Sequence, residues 1–263
     1  MNLIDTHSHL YDRAFDGDRA EAVGRALGAG VRKILLPAID SESHEALFGL
    51  ARTYPGVCFP MMGLHPTSVN DNPRWRQELE AVGKYLQAPP EGIGRFCAVG
   101  EVGIDLYWSK EWAREQMEAF ERQIELSLEH GLPLVIHTRA AWKEMAEMLG
   151  RFRGKGLRGV MHAYSGEYGE YRQIKEYGDF LFGIGGVVTY KNSGLAEVLG
   201  RMSVEDIVLE TDCPYLTPVP FRGKRNESSY ITYIRDKVAE IYRMPAEEVA
   251  EVTTRNAGRM FGV

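Results

Sequence analysis

Two histidines one residue apart, His7 and His9, close the apolar opening segment Ile4–Leu10, IDTHSHL. In an extended strand alternate side chains share a face, so Asp5, His7 and His9 are expected to point the same way. Two imidazoles on one face can reach one metal ion, although His-x-His alone also occurs on polar surfaces. What gives the pair weight is that further residues of ligand type each follow a short apolar run: His65 in GLHP, Glu101 in VGEVGID, His137 in VIHTR, His162 in MHAYSG and Asp212 in LETDCPYL. Neutral imidazole suits zinc and other transition divalents, and carboxylates also admit magnesium and manganese. A histidine-rich set with two acids and no thiolate therefore points to catalytic metal. Even six ligands from these seven residues are more than one tetrahedral ion with an open position requires, so two ions sharing a carboxylate are expected. Glu101, with two oxygens, is the natural bridge.

The elements that must position these residues are legible as periodicity. Apolar runs at Leu3–Thr6, Val31–Leu36, Val57–Gly63, Phe96–Gly100, Leu132–Ile136, Gly159–Met161, Phe180–Ile184 and Ile207–Glu210 predict eight strands. Helix-like stretches separate them. In Glu111–His130, Met117, Phe120, Ile124 and Leu128 recur at steps of three and four and make one apolar stripe, and Ile231, Ile234, Val238 and Ile241 make another. Pro245 followed by Ala246, Glu247 and Glu248 predicts a last helix with proline in its first turn and acids near the positive dipole end. Eight strands, each followed by a helix, in 263 residues predict a single (β/α)8 TIM barrel domain over residues 1–263, with the active site at the C-terminal ends of the strands. The alternative, a doubly wound open sheet, lacks support, because no Gly-x-Gly-x-x-Gly follows the first strand; nor is there a Gly-x-x-x-x-Gly-Lys-Ser/Thr loop, so no nucleotide cofactor is signalled.

The composition, 44% hydrophobic and 26% charged, suits a globular protein with a sizeable core. No apolar run approaches the roughly 20 residues that cross a bilayer, and the N-terminus lacks a signal-peptide pattern, so a cytoplasmic protein with no membrane partner is expected. Cys58, Cys97 and Cys213 are widely separated and form no Cys-x-x-Cys pair, which argues against a disulfide framework or a cysteine zinc site. A formal charge of −6 argues against broad adhesion to nucleic acid, without excluding a phosphate-bearing substrate in a locally positive cleft. His44 and His130 lie in helical stretches without ligand neighbours and read as structural or surface residues.

The ordered motifs DTHSHL, GLHP, GEVGIDLYW, VIHTR, MHAYSG, ETDCPYL and GKRNE resemble those of the TatD family of metal-dependent deoxyribonucleases, a branch of the amidohydrolase-like metal hydrolases, and the likeness runs from Ile4 to the closing TTRNAGRMFG. The resemblance implies that His7, His9 and Asp212 hold one divalent ion and His137 and His162 the other, with Glu101 between them. It implies that His65 contacts substrate phosphate and that the substrate is DNA, often attacked from a 3′ end. The family commonly has Phe-His-Cys-Phe-Ser-Gly where this chain has MHAYSG, Asp where Ser109 stands, and Pro where Ser228 stands. These departures spare the ligands and fall on the substrate loops.

Phosphate also needs cationic partners. Arg139, two residues after His137, and Arg222, Lys224, Arg225 and Asn226 in FRGKRNE follow the fifth and eighth strands, where barrels often seat phosphates. Arginine offers a bidentate fork for phosphate oxygens. Trp108 and Tyr215 are candidates for stacking on a base, with core packing the alternative for each. Two cations about 3.5–4 Å apart lower the pKa of a bound water and clamp a phosphodiester. A metal-bound hydroxide is therefore the expected nucleophile, with Asp212 ligating and orienting it or accepting its proton. Without a long basic track, single strands and frayed ends are the expected substrates. A metal-dependent cyclic amide or lactone hydrolase of similar fold is the first alternative, weakened because many such enzymes bridge their metals through a modified lysine where Glu101 stands here. A non-catalytic nucleic-acid-binding or scaffold protein with a structural metal is the second.

Overall fold

The computed structural model describes residues 2–263. Eight parallel strands form the centre: β1 Leu3–Asp5, β2 Val31–Leu36, β3 Cys58–Pro60, β4 Val99–Asp105, β5 Leu134–Arg139, β6 Arg158–Met161, β7 Asp179–Ile184 and β8 Ile207–Leu209. They pair in sequence order within two ladders, β1 to β3 and β4 to β8. Backbone hydrogen bonds close both seams. At one, Met62 N donates to Ala98 O at 3.2 Å and Gly100 N to Met62 O at 3.0 Å; at the other, Thr6 N donates to Leu209 O at 3.1 Å and Asp212 N to His7 O at 2.8 Å. The result is a (β/α)8 barrel.

Helices follow each strand: α1 Arg19–Gly28, α2 His44–Thr53, α3 Trp75–Gln87, α4 Ala113–His130, α5 Trp142–Arg151, α6 Tyr168–Lys175, α7 Leu195–Leu199 and α8 Ile231–Tyr242, with α9 Ala246–Phe261 as an addition. The expected stripes face inward. Phe120 and Ile124 of α4 and Ile231, Ile234 and Val238 of α8 are buried, while Met117, Leu128, Trp142 and Ile241 pack partly buried against the same core. Pro245 stands just before the first residue of α9, with Glu247 and Glu248 in its first turn. No helix among the described residues is long and apolar enough to cross a membrane.

The barrel interior takes one apolar residue from each strand or from the position next to it: Ile4, Leu35, Met61, Ala98, Val135, Val160, Leu181 and Val208. Met260 and Phe261 of α9 join this cluster. The hydrogen bonds of α9 say which end it covers: Thr254 Oγ1 donates to Asn2 O at 2.9 Å, Asn256 Nδ2 to Ile207 O at 2.9 Å, and Met260 O accepts from Arg158 at 3.1 Å. Those three partners lie at the N-terminal ends of β1, β8 and β6, so α9 plugs that mouth and leaves the C-terminal mouth for chemistry.

Two strand boundaries differ from the sequence reading in a way that matters. β4 and β5 run on to Asp105 and Arg139, so Glu101 and His137 sit within paired strands and not beyond their ends. The ladder continues because Gly103, at φ 138°, lets β5 come close: a Cβ there would meet the His137 carbonyl oxygen at 2.0 Å. Polar residues can stay in strand here because the barrel mouth, not solvent, receives their side chains.

Candidate metal centre

His7 and His9 follow β1, where the chain bends after Asp5 and carries both imidazoles over the C-terminal mouth. Their Nε2 atoms lie 3.2 Å apart. Glu101, within β4, meets them from across the barrel: its Oε2 is 3.2 Å from His7 Nε2 and 3.7 Å from His9 Nε2. Its other oxygen, Oε1, faces His137 Nδ1 at 3.1 Å, His65 Nε2 at 3.4 Å and His162 Nε2 at 3.8 Å. Asp212, after β8, places Oδ1 at 3.4 Å from His9 Nε2, 3.7 Å from His162 Nε2 and 3.8 Å from His7 Nε2. One carboxylate with its two oxygens turned to two separate histidine groups is what a shared ligand requires.

The donor set fits divalent cations. Three groups of ligand atoms each gather within 4.8 Å of one another: His7, His9 and Asp212; His7, Glu101 and His162; and His65, Glu101 and His137. Nitrogen and carboxylate oxygen donors without thiolate suit zinc, manganese and similar ions.

Outer partners fix which nitrogen each ring presents. Tyr11 spends its one proton on Pro37 O at 2.6 Å, so its oxygen accepts from His9 Nδ1 at 2.8 Å and leaves the lone pair of His9 Nε2 facing the cluster. Glu210 Oε1 lies 2.9 Å from His162 Nδ1, and Asp105 Oδ2 lies 2.9 Å from His137 Nε2. Thr67 N donates to His65 Nδ1 at 3.2 Å, which puts the proton of neutral His65 on Nε2, toward Glu101. Tyr11, Asp105 and Glu210 did not emerge from spacing alone. The signals were present, since HLYD, VGEVGID and LETD each carry an extra polar residue beside a ligand. Gly183 makes room for one of them, because a Cβ there would meet Glu210 Oε2 at 2.0 Å.

Electrostatics follow from this crowding. Burial opposes ionisation of Glu101, but the surrounding histidines, His65, His7 and His162 foremost, outweigh it and hold the carboxyl well below the usual range. Burial also opposes charge on the partly enclosed Asp212, and His162, His9 and His7 likewise keep it ionised. Burial disfavours charge on the rings as well. For His7 and His65 it prevails and lowers the pKa. For His162, Glu210, Glu101 and Asp212 overcome burial and raise it to about 10; for His137, Asp105 and Glu101 raise it to about 9. Protons on these two rings would compete with a cation for the same nitrogens.

Several expectations are corrected. Asp5 does not share the face of His7 and His9: the strand ends at Asp5, and its carboxylate accepts from Thr211 N at 2.9 Å and Thr211 Oγ1 at 2.6 Å. Asn226 is wholly buried, donating to Thr211 O and Tyr215 O, and so cannot touch substrate. Arg225 is turned away, its guanidinium clasped by the Asp18 carboxylate at 2.6 and 2.7 Å and donating to Ala14 O at 2.7 Å. Both residues shape the loop after β8 instead of lining the cleft. Arg222 and Lys224 lie over the rings of Tyr190 and Phe221. Arg139 and Tyr215 stay at the mouth: Tyr215 is 56% exposed, with its ring centroid 6.1 Å from that of His9. His44 is buried against Phe48 and Tyr85, in keeping with a structural role.

A closed parallel barrel with histidines and acids converging at its C-terminal mouth is the architecture of a metal-dependent hydrolase. The chain belongs to the TatD related DNase family, whose family model matches residues 4–262. It is 34% identical over 266 residues to the metal-dependent hydrolase YabD of Bacillus subtilis, covering 99% of both chains. It is 30% identical over 267 residues to the 3′-5′ ssDNA/RNA exonuclease TatD of Citrobacter rodentium, covering 99% of this chain and 98% of that one. The crystal structure of YjjV, a TatD homologue from Escherichia coli, superimposes with a TM-score of 0.90 at 29% identity, over 99% of this chain and 98% of that one.

Proposed function

We propose that the protein is a divalent-metal-dependent deoxyribonuclease that hydrolyses phosphodiester bonds of DNA from a 3′ end, prefers single strands, and works in the cytoplasm. The observation that carries this reading is the two-sided Glu101 carboxylate, Oε2 toward His7 and His9 and Oε1 toward His137, His65 and His162. His7, His9 and Asp212 would hold one cation, His137 and His162 a second, and Glu101 both, with magnesium, manganese or zinc as the candidate ions. Such a pair supplies Lewis acidity that activates water and clamps phosphodiester oxygens. The name of the Citrobacter rodentium relative supports nucleic acid as the substrate class, and three buried free thiols suit a reducing compartment.

The residues of the chain divide the remaining work. Tyr11 and Asp105 keep His9 and His137 in the tautomer and orientation that face the cleft, and Glu210 sets its charge beside His162. Asp212, ionised and at the edge of the cluster, takes the proton of the attacking water. His65, neutral and carrying its proton on Nε2, donates to a phosphate oxygen. Arg139, exposed beside the mouth, offers donors to the next phosphate along the chain.

A substrate panel assayed with and without chelator tests the reading. Short single-stranded DNA should be shortened from its 3′ end, chelation should abolish cutting, added magnesium, manganese or zinc should restore it, and Asp212→Ala should respond to none of them. Turnover of a cyclic amide or lactone with DNA and RNA untouched would replace this reading with the ring-opening hydrolase. Binding of nucleic acid that ignores the chelator, without turnover of any substrate, would replace it with the scaffold.

A further inference from the structure

Five large hydrophobic side chains stand exposed among the described residues, and Tyr107, Trp108 and Tyr215 of them belong to loops that leave the C-terminal ends of β4 and β8. Single exposed apolar residues are ordinary; an aromatic pair beside a polar centre is not explained by packing. Trp108 is 70% exposed and Tyr107 57%, and their rings meet edge to face at 5.0 Å. The Arg139 guanidinium, from the end of β5, lies 3.7 Å from the centroid of Tyr107 and 5.5 Å from that of Trp108. Among the described residues no carboxylate comes within ion-pairing distance of Arg139. Trp108 thus offers an open ring face, braced at right angles by a Tyr107 ring on which the Arg139 guanidinium lies, and the rest of the chain does not cover it.

This face is tied to the metal centre through one side chain. Asp105 holds His137 Nε2 with Oδ2, and with Oδ1 it accepts from Tyr107 N at 3.0 Å. The carboxylate that orients a proposed ligand therefore also sets where the aromatic loop begins. Gln116 of α4 locks the same turn from behind, accepting from Asp105 N at 2.8 Å and donating to Asp105 O at 2.9 Å. A face held in register with the centre can position a chain that crosses both.

We infer that Tyr107, Trp108 and Arg139 form a stacking platform for an unpaired base of a single-stranded nucleic acid whose phosphodiester lies at the metal centre. The inference rests on the nuclease reading and deepens it. Ring faces accept any base without reading sequence, and a stacked base contributes roughly 1–3 kcal/mol, about 5- to 150-fold in affinity. The cation adds attraction for the adjoining phosphate, which a chain of net charge −6 does not supply from its surface as a whole. In a duplex the base faces are already stacked on their neighbours, so the platform selects single strands by a means independent of charge.

The test compares a short fluorescent single-stranded DNA with an abasic strand of the same length, measuring affinity by anisotropy under chelation and 3′ shortening in the presence of manganese. Wild-type protein should bind the base-bearing strand at least about tenfold more tightly. Trp108→Ala should reduce that ratio by about tenfold, and Trp108→Phe should restore part of it, because the phenyl ring keeps a smaller stacking face. Circular dichroism serves as the check on folding, which a side chain so exposed should not affect. If the base-bearing strand is cut while Trp108→Ala leaves the ratio unchanged or weakens both strands equally, the platform is refuted and the nuclease reading stands. If neither strand is bound or cut by the wild type, both fall.

Discussion

Glu101 sits where the requirements of the site are sharpest, since it must stay ionised while fully enclosed. Its charge is held by the histidines around it, and in return it draws them together. Replacing it by glutamine keeps the volume and removes the charge that would balance two cations. Glu101→Gln is therefore expected to lose activity by more than about 100-fold, beyond the roughly 10- to 100-fold cost typical of an outer-shell partner, and to retain no more than one cation per chain. Activity and metal analysis on the same sample, with circular dichroism to verify the fold, decide this. Turnover near the wild-type rate with two ions bound would mean that Glu101 is not the bridge.

At the scale of elements the barrel separates stability from chemistry by its two ends. α9 closes the N-terminal mouth with Met260 and Phe261 against the inner residues of the strands, and its polar side chains satisfy backbone groups at Asn2 and Ile207. Truncating Phe261, which is nearly fully buried, leaves a cavity against the inner layer. Phe261→Ala is expected to destabilise the fold by about 3–5 kcal/mol in urea unfolding, while calorimetric metal affinity at the opposite mouth stays close to wild type. A large loss of metal affinity at unchanged stability would mean that α9 supports the site rather than the core. At the other end the loop after β8 is fastened to α1 by Arg25, which donates to Glu227 at 2.6 and 2.9 Å and to Asp18 at 2.9 Å, with Arg225 gripping Asp18 from the far side. Arg225 of that loop is thus consumed in holding it.

For the molecule as a whole, cations and protons compete for one site. With His137 raised to about 9 and His162 to about 10, both rings are charged at pH 7.5 in the metal-free protein. A cation must displace those protons, so its affinity rises with pH up to that range and binding at pH 7.5 releases up to about two protons. Calorimetry in two buffers of different ionisation enthalpy reads this directly; equal heats in both buffers would refute it. The same shifts give the sign for stability. A ring whose folded pKa exceeds the unfolded value near 6.5 stabilises fully below that value and loses its contribution as pH rises through 9 to 10. Thermal midpoints of the metal-free protein should therefore fall between about pH 7 and 10, and those of the metal-loaded protein should fall less, because ligation replaces the protons.

What the sequence determined by itself was what periodicity and motif can express. Eight apolar runs separated by amphipathic stretches specify a barrel, because a strand or helix buries its apolar face wherever the chain goes next. His7, His9, His65, Glu101, His137, His162 and Asp212 were visible as polar residues at or near the ends of those runs, and the barrel brings all seven to one mouth. Contacts between distant segments were decided only by closure of the barrel. Arg225 reads as a phosphate clamp until the loop after β8 meets Asp18 of the α1 approach. Asn226 reads as polar and available until Thr211 and Tyr215 enclose it. Asp5 reads as sharing the face of His7 and His9 until β8 sets Thr211 against it. Asp105 and Glu210 gained their partners in the same way, from the registers of β4 with β5 and of β6 with β8 across β7. Local spacing fixes which way a side chain faces along its own element, whereas the proton, charge or lone pair it meets there belongs to a residue that only the tertiary fold brings near.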